Sequence, residues 1–378
     1  MVMQYEVTKR IYHTEEMGEL SIQDMLGYFE QMGAMRVSDL HIKVGVPPTY
    51  RVDGDLKKLN GPILTKELAE QLILPLLSEN SLEKLRELHS VDCSYRLSST
   101  HFRINVFKEN DGICAAIRAL PADIPPVEKI GFPNDIWKDI INRKHGLVLV
   151  TGVTGAGKST TIASLVNRIT EERAGRIITI EDPIEYIFEQ KRSLVSQREI
   201  GKDVYSFIDG LRSMLREDPD VILVGEMRDA ETIAMTLMAA ETGHLVFSTL
   251  HTRDTAGTIN RVLDYFPPGR QNEVRNQLSL GLAYIVSQKL IPRSDGPGRV
   301  AAMEVLNNNY AVANLIRMGK IEQIYSQLQT KMQNRYDEKM ITMERHLAQL
   351  VRDEKIDILE AQKWANNLTT FNEAIKSE

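Results

Sequence analysis

The spacing of apolar and polar positions divides the chain at PADIPPVEKIGFP, residues 121–133, a proline-rich stretch with neither a helical nor a strand period. Ahead of it the pattern is mixed. Ile22, Met25, Leu26 and Phe29 recur at helical spacing behind Ser21, and Asp24 completes a capping-box-like start. Further helices are predicted over Lys66 to Leu77 and Ser81 to Leu88, and alternating strands over Val91 to Leu97, Phe102 to Phe107 and Ile113 to Leu120. Pro47-Pro48 and Asp53-Gly54 punctuate short strands nearer the N-terminus. The pattern predicts a small α+β domain at residues 21–120, with the polar, weakly patterned residues 1–20 as a loose extension and 121–133 as the interdomain linker.

Beyond the linker, strands and helices alternate. Strands are predicted at 147–151, 176–181, 221–225 and 245–250, and helices at 158–172, 204–217 and 229–242. Such alternation predicts a mostly parallel sheet covered on both faces, an α/β domain spanning residues 134–335. From Pro268 helices are expected to dominate, including the apolar run LSLGLAYIVSQKLI at 278–291. The last segment, 336–378, reads as small amphipathic helices, with Met340, Met343, Leu347, Leu350 and Val351 at core spacing.

The first α/β repeat carries chemistry. Leu147 to Val150 run into Gly152, Thr154, Gly155, Ala156, Gly157, Lys158, Ser159 and Thr160, which fit G-x-x-x-x-G-K-[ST] between a strand and a helix. Glycines let successive amides point inward at phosphate oxygens, and the helix adds its positive end. Lys158 is placed to meet the β- and γ-phosphates and Ser159 to hold Mg²⁺. The predicted ligand is therefore a nucleoside triphosphate with Mg²⁺. ATP is favoured over GTP, because no N-K-x-D base-reading motif occurs.

Acids follow at the ends of later strands, where ligands of such sheets bind. Glu181, Asp182 and Glu185 cluster in ITIEDPIEY, and the strand Val221 to Val224 leads to Glu226. Either cluster alone reads equally well as a solvated acidic loop. His244 and His251 bracket the strand of TGHLVFSTLHT, one at each end, so they are not expected to share a metal. In the first domain, Asp111-Gly112 as the centre of a type I′ turn would set Arg118 near Asn105 and diagonal to Arg103. Two arginines side by side are either solvated or joined by an anion such as phosphate.

Composition narrows the choice. A net charge of −6 and 6% aromatic residues argue against a protein built to grip nucleic acid. The two cysteines, Cys93 and Cys114, form no C-x-x-C, so no cysteine zinc site or disulfide framework is expected. No apolar run approaches a membrane span, and any membrane association is expected to run through a partner.

GVTGAGKST, IITIEDPIEY, LREDPDVILVGEMRDAET and TGHLVFSTLHT, in this order and spacing, resemble the Walker A, Asp, Walker B and His boxes of the secretion ATPases that drive type II secretion and type IV pili. SDLHIKVGVPP, RVDGDL and VANLIRMGKIEQIYSQLQT resemble the branch that retracts pili in twitching motility, and the likeness covers about residues 21–335. It implies a PAS-like N-terminal domain, a RecA-like P-loop domain with a helical C-terminal part, and a cytoplasmic homohexamer with ATP at subunit boundaries. The ring would act on an inner-membrane platform protein at the inner face of the membrane. The same resemblance makes Glu185 the general base, Glu226 a support for Mg²⁺, and His251 the sensor of the γ-phosphate with His244 nearby. It makes Arg103 and Arg118 the arginines that reach nucleotide from the N-terminal domain. The short N-terminal part and the missing four-cysteine site favour retraction over assembly. One departure is Ala313, which stands where the retraction signature A-I-R-N-L-I-R has its first arginine. An accessory retraction paralogue, or a role beside a paralogous retraction ATPase, stays open, as does a regulatory subunit without turnover.

Overall fold

The computed structural model describes residues 6–32, 37–52, 55–98, 100–120, 123–329 and 339–376. Asp53-Gly54, the first two linker residues and residues 336–338 lie outside that set. Contacts divide the chain into two units. One comprises Met1–Asp123, Pro183–Ile187 and Glu199–Asp203, and the other Ile124–Asp182, Phe188–Arg198 and Val204–Glu378.

The first unit begins with a hairpin of β1 (Tyr12–Thr14) and β2 (Gly18–Leu20), followed by α1 (Ile22–Met32). The capping box is formed: the Asp24 amide donates to Ser21 Oγ at 3.0 Å and the Ser21 amide to Asp24 Oδ2 at 2.9 Å. Then come β3 (Val37–Ile42), β4 (Thr49–Val52), β5 (Asp55–Lys58), α2 (Lys66–Ile73), α3 (Glu79–Leu88), β6 (Ser90–Leu97), β7 (Thr100–Glu109) and β8 (Gly112–Ala119). The six strands β3 to β8 form an antiparallel sheet in the order β5-β4-β3-β8-β7-β6. Met25, Leu26 and Phe29 of α1 bury in one core with Phe102, Ile104 and Val106 of β7.

Two expectations for this unit need correction. Residues 12–20 are no loose extension. Tyr12 is fully buried and its hydroxyl donates to the Pro62 carbonyl at 2.9 Å, a contact worth about 2 kcal/mol from ring burial alone. Strands of three residues are too short to display an alternation, which is why the sequence hides them. The second correction is in the β7–β8 hairpin, where the turn centre moves by one residue and the cross-strand pairing by two. Glu109 faces Gly112, so the turn is centred on Asn110-Asp111, and Arg103 lies directly opposite Arg118 rather than diagonal to it. Neither Asn110 nor Asp111 has a positive φ, and Gly112 sits at the last turn position, as in a type I turn.

In that register each arginine finds an acid on its own sheet. Arg118 Nε donates to Asp39 Oδ1 at 2.8 Å, and Arg103 Nε lies 3.7 Å from Asp92 Oδ1. Burial raises the pKa of Asp39, but hydrogen bonds from Ser38 and Arg118 outweigh it and hold the carboxyl below its ordinary range. These acids offset part of the repulsion between the two guanidiniums. The segments 183–187 and 199–203 join this unit through Glu199, a buried acid. Its carboxylate accepts the Ser94 hydroxyl at 2.6 Å and the Ile184 amide at 3.2 Å.

The second unit opens with α4 (Ile136–Asn142) and continues through β9 (Gly146–Thr151), α5 (Lys158–Glu172), β10 (Arg176–Glu181), β11 (Leu194–Glu199), α6 (Phe207–Met214), β12 (Val221–Val224), α7 (Ala230–Glu241), β13 (Leu245–Leu250), α8 (Thr255–Asp264) and α9 (Pro268–Gly281). It closes with β14 (Leu282–Pro292), β15 (Arg299–Asn307), α10 (Tyr310–Met318), α11 (Ile324–Gln329), α12 (Met343–Arg352), α13 (Ile358–Trp364) and α14 (Leu368–Lys376). Its seven-stranded sheet has the order β11-β10-β12-β13-β9-β14-β15. Neighbours from β10 to β14 run parallel, and every residue of β9, β12 and β13 is buried.

The run expected to be helical at 278–291 is mostly strand. Helix α9 stops at Gly281, and Leu282–Pro292 forms β14, parallel to β9 and antiparallel to β15. A strand buried on both faces shows no alternation, so periodicity cannot separate it from a buried helix. The final helices cover the exposed edge that β15 would otherwise present. Val305 pairs with Ile341, and the Met303 amide donates to His346 Nδ1 at 2.8 Å. Burial pushes the His346 imidazole down to about 4, keeping it a neutral acceptor. Met343, Leu347 and Leu350 of the expected stripe pack against Ile291, Val300 and Ala302.

Candidate active site

Strand β9 delivers the chain to Gly152 with φ +151°, and the loop then turns through Gly155 at φ +78° to Gly157 at φ +85°, which caps α5. A Cβ on Gly152 would lie 2.5 Å from the carbonyl oxygen of Gln288, and one on Gly157 would lie 2.9 Å from its Nε2. The loop is thus shaped by a residue of β14. Gln288 Nε2 donates to the Ala156 carbonyl at 2.7 Å, and its Oε1 accepts the Thr161 hydroxyl at 2.7 Å. The sequence offered one signal for it, the polar residues Ser287, Gln288 and Lys289 inside the apolar run AYIVSQKLI.

Lys158, the first residue of α5, is nearly buried. Its Nζ donates to the carbonyls of Gly152 at 3.0 Å and Val153 at 3.2 Å and lies 3.4 Å from His251 Nδ1. The register explains the histidine's place: Leu250 of β13 pairs with Thr151 of β9, so the next residue stands beside the loop. His251 Nε2 is 3.3 Å from Glu226 Oε1, whose other oxygen accepts Arg228 Nε at 2.9 Å. Arg228 lies 3.8 Å from Asp182 in turn. A polar line from Lys158 through His251 and Glu226 to Asp182 therefore follows the carboxyl ends of β9, β13, β12 and β10, where ligands of such sheets bind. Helix-start amides and a cationic amine on one side, with acids on the other, suit a bound polyphosphate with its divalent cation.

Not all the expected residues gather there. His244 precedes β13 and so lies about 20 Å from the loop, at the opposite end of a six-residue strand. Its Nδ1 is 2.9 Å from the Ala239 carbonyl, where it finishes α7 instead of reaching a phosphate. That corrects its expected place near the nucleotide. Arg103, Arg118 and Glu185 belong to the first unit, with Glu185 half-buried in the segment Pro183–Ile187.

A family model described as type II/IV secretion system protein matches residues 28–376. This chain belongs to that family. The secretion-system protein is 44% identical over 312 residues to the type IV pilus retraction ATPase PilT of Pseudomonas aeruginosa, covering 82% of this chain and 89% of that one. It is 35% identical over 342 residues to the type IV pilus ATPase PilU of the same organism, covering 90% of this chain and 88% of that one. A crystal structure of the pilus retraction motor PilT with bound ADP superposes with a TM-score of 0.84 at 44% identity, covering 94% of this chain and all of the other. With the mixed α/β fold described above, these place the secretion-system protein among ATPases with an N-terminal domain and a RecA-like domain. No helix among its described residues is long and apolar enough to cross a membrane.

Proposed function

We propose that this secretion-system protein is a Mg²⁺-dependent ATPase whose hydrolysis powers retraction of a type IV pilus, acting as a homohexamer on a platform protein at the inner membrane face. The convergence of Lys158, His251 and Glu226 at the glycine loop carries the ATPase reading. The higher identity to PilT than to PilU supports the main retraction motor over its accessory paralogue. Ala313 leaves α10 intact, since its amide donates to the Asn309 carbonyl at 2.8 Å.

In this reading Lys158 and the amides of residues 155–160 hold the β- and γ-phosphates, and His251 meets the γ-phosphate. Ser159 and Glu226 would hold Mg²⁺ with phosphate oxygens and water. Among the described residues no group of three or more His, Cys, Asp or Glu could cage a metal, which suits an ion that arrives with the nucleotide. Bound there, the ion would draw charge off the phosphate oxygens. Glu185 orients the attacking water as general base. Deletion of the gene should leave pili on the cell surface and abolish twitching, and the wild-type gene should restore it. Twitching that survives deletion would remove the retraction reading.

Arg103 and Arg118 are proposed to reach nucleotide, a role that competes with Asp92 and Asp39 for their guanidiniums. Arg118→Ala should lower the ATPase rate about tenfold and change ATP affinity by less than about threefold, with Arg103→Ala following the same pattern. Unchanged steady-state rates in both variants would return the pair to a purely structural role on their sheet.

A further inference from the structure

Glu304 of β15 is 1% exposed and lies directly opposite Ser287 of β14. Its Oε1 accepts both the amide of Thr255 at 2.8 Å and the Thr255 hydroxyl at 2.8 Å. Its Oε2 is buried with no partner among the described residues. A carboxyl in such a place is expensive to keep charged, and burial, with Asp254 and Glu344 near, raises its pKa although Thr255 pulls it down. The helix α8 that Thr255 opens already has a side-chain cap, because Asp254 accepts the Gly257 amide at 2.6 Å. Glu304 therefore adds to that cap a second tie, which joins the start of α8 to β15.

What it holds is the turn after β13. Thr255 follows His251 by four residues, and between them Thr252 shares a 2.7 Å hydrogen bond with Thr258. Thr258 donates to the Asp254 carbonyl at 2.8 Å, its hydroxyl lies 3.4 Å from that of Thr151, and Thr151 bonds Ser287 at 2.7 Å. Both ends of the segment 252–255 are thus tied to the β14–β15 pair, the same pair whose Gln288 shapes the phosphate loop.

We propose that Glu304 is a positioning residue for His251: by taking both donors of Thr255 it fixes the turn that presents the imidazole to Glu226 and Lys158. This rests on the reading of His251 as the group that meets the terminal phosphate. The full-length chain is assayed for ATP turnover with Mg²⁺, beside ADP affinity and melting temperature, in Glu304→Val, Glu304→Gln, His251→Ala and the His251→Ala/Glu304→Val double variant. Glu304→Val should lower kcat about tenfold with ADP affinity within about twofold, since a small misplacement costs rate before affinity. Glu304→Gln keeps an acceptor oxygen for Thr255 and should recover to within about threefold of wild type. The double variant should be no slower than His251→Ala alone, because residues acting as a unit are not additive. Where Glu304→Val does not fold, Thr255→Ala, which removes one of the two bonds, should slow the wild type about threefold and His251→Ala not at all. Additive losses, or a glutamine as slow as the valine, overturn the proposal. An unchanged kcat in His251→Ala removes the parent reading and this one with it, whereas a slow His251→Ala with additive partners removes this one alone.

Discussion

Glu185→Gln is expected to lower ATP turnover about a thousandfold and to leave ATP binding within about twofold of wild type. The change keeps size and hydrogen-bonding shape and removes only basicity. The segment that carries Glu185 does not depend on that carboxylate for its place, because Glu199 holds the neighbouring Ile184 amide at 3.2 Å and is itself bonded to Ser94 at 2.6 Å. A loss of rate without loss of fold or affinity would therefore report the missing base. The measurement is steady-state phosphate release beside an equilibrium titration with ATP. Turnover within about tenfold of wild type would take the base role from Glu185, since a general base contributes more than that. Glu181 would be a poor replacement, being buried with its Oε1 accepting the Thr179 hydroxyl at 2.7 Å.

How far the sequence reaches depends on which physical signal marks each element. Strand β9, the glycine loop and α5 are legible because phosphate binding needs particular residue types at fixed spacing, and the structure gives α5 as Lys158–Glu172. The parallel strands are legible because each is an apolar run between polar helices. The same absence of period makes β14 read as helix, and with it went Gln288, Ser287 and the pairing to Glu304 that braces the site from behind. The β7–β8 register failed for a smaller reason. Asn-Asp-Gly admits turns centred on either of two adjacent pairs, and moving the centre by one residue shifts the pairing by two, which took Arg118 from beside Asn105 to opposite Arg103. His244 shows a third limit: the resemblance set it near the nucleotide although its place ahead of β13 puts it at the end opposite to His251, and the structure spends it on ending α7.

Gly152→Ala is expected to weaken nucleotide binding at least about a hundredfold, while Gly155→Ala at the tip of the same loop weakens it less than about tenfold. Both glycines have positive φ, at +151° and +78°, so either alanine carries backbone strain of about 1–2 kcal/mol. They differ in what the new methyl meets. At Gly155 there is no atom within 4 Å, so strain is the whole cost. At Gly152 the methyl would lie 2.5 Å from the Gln288 carbonyl oxygen and 2.9 Å from the Ala156 Cβ. The carbonyl belongs to a buried strand bonded on both sides, to β9 and to β15, and cannot retreat. The loop must then move, and Ala156 is the part that gives way, breaking the 2.7 Å bond from Gln288 Nε2 and leaving a buried amide unpaired at about 1–3 kcal/mol. The amides that would face phosphate shift with it. Fluorescence titration with a labelled ADP and thermal melts of both variants separate the cases, and Gln288→Ala should not rescue Gly152→Ala because the obstructing atom is main chain. Equal losses in the two glycine variants would mean that conformational strain alone, and not the brace from β14, sets the shape of the cradle.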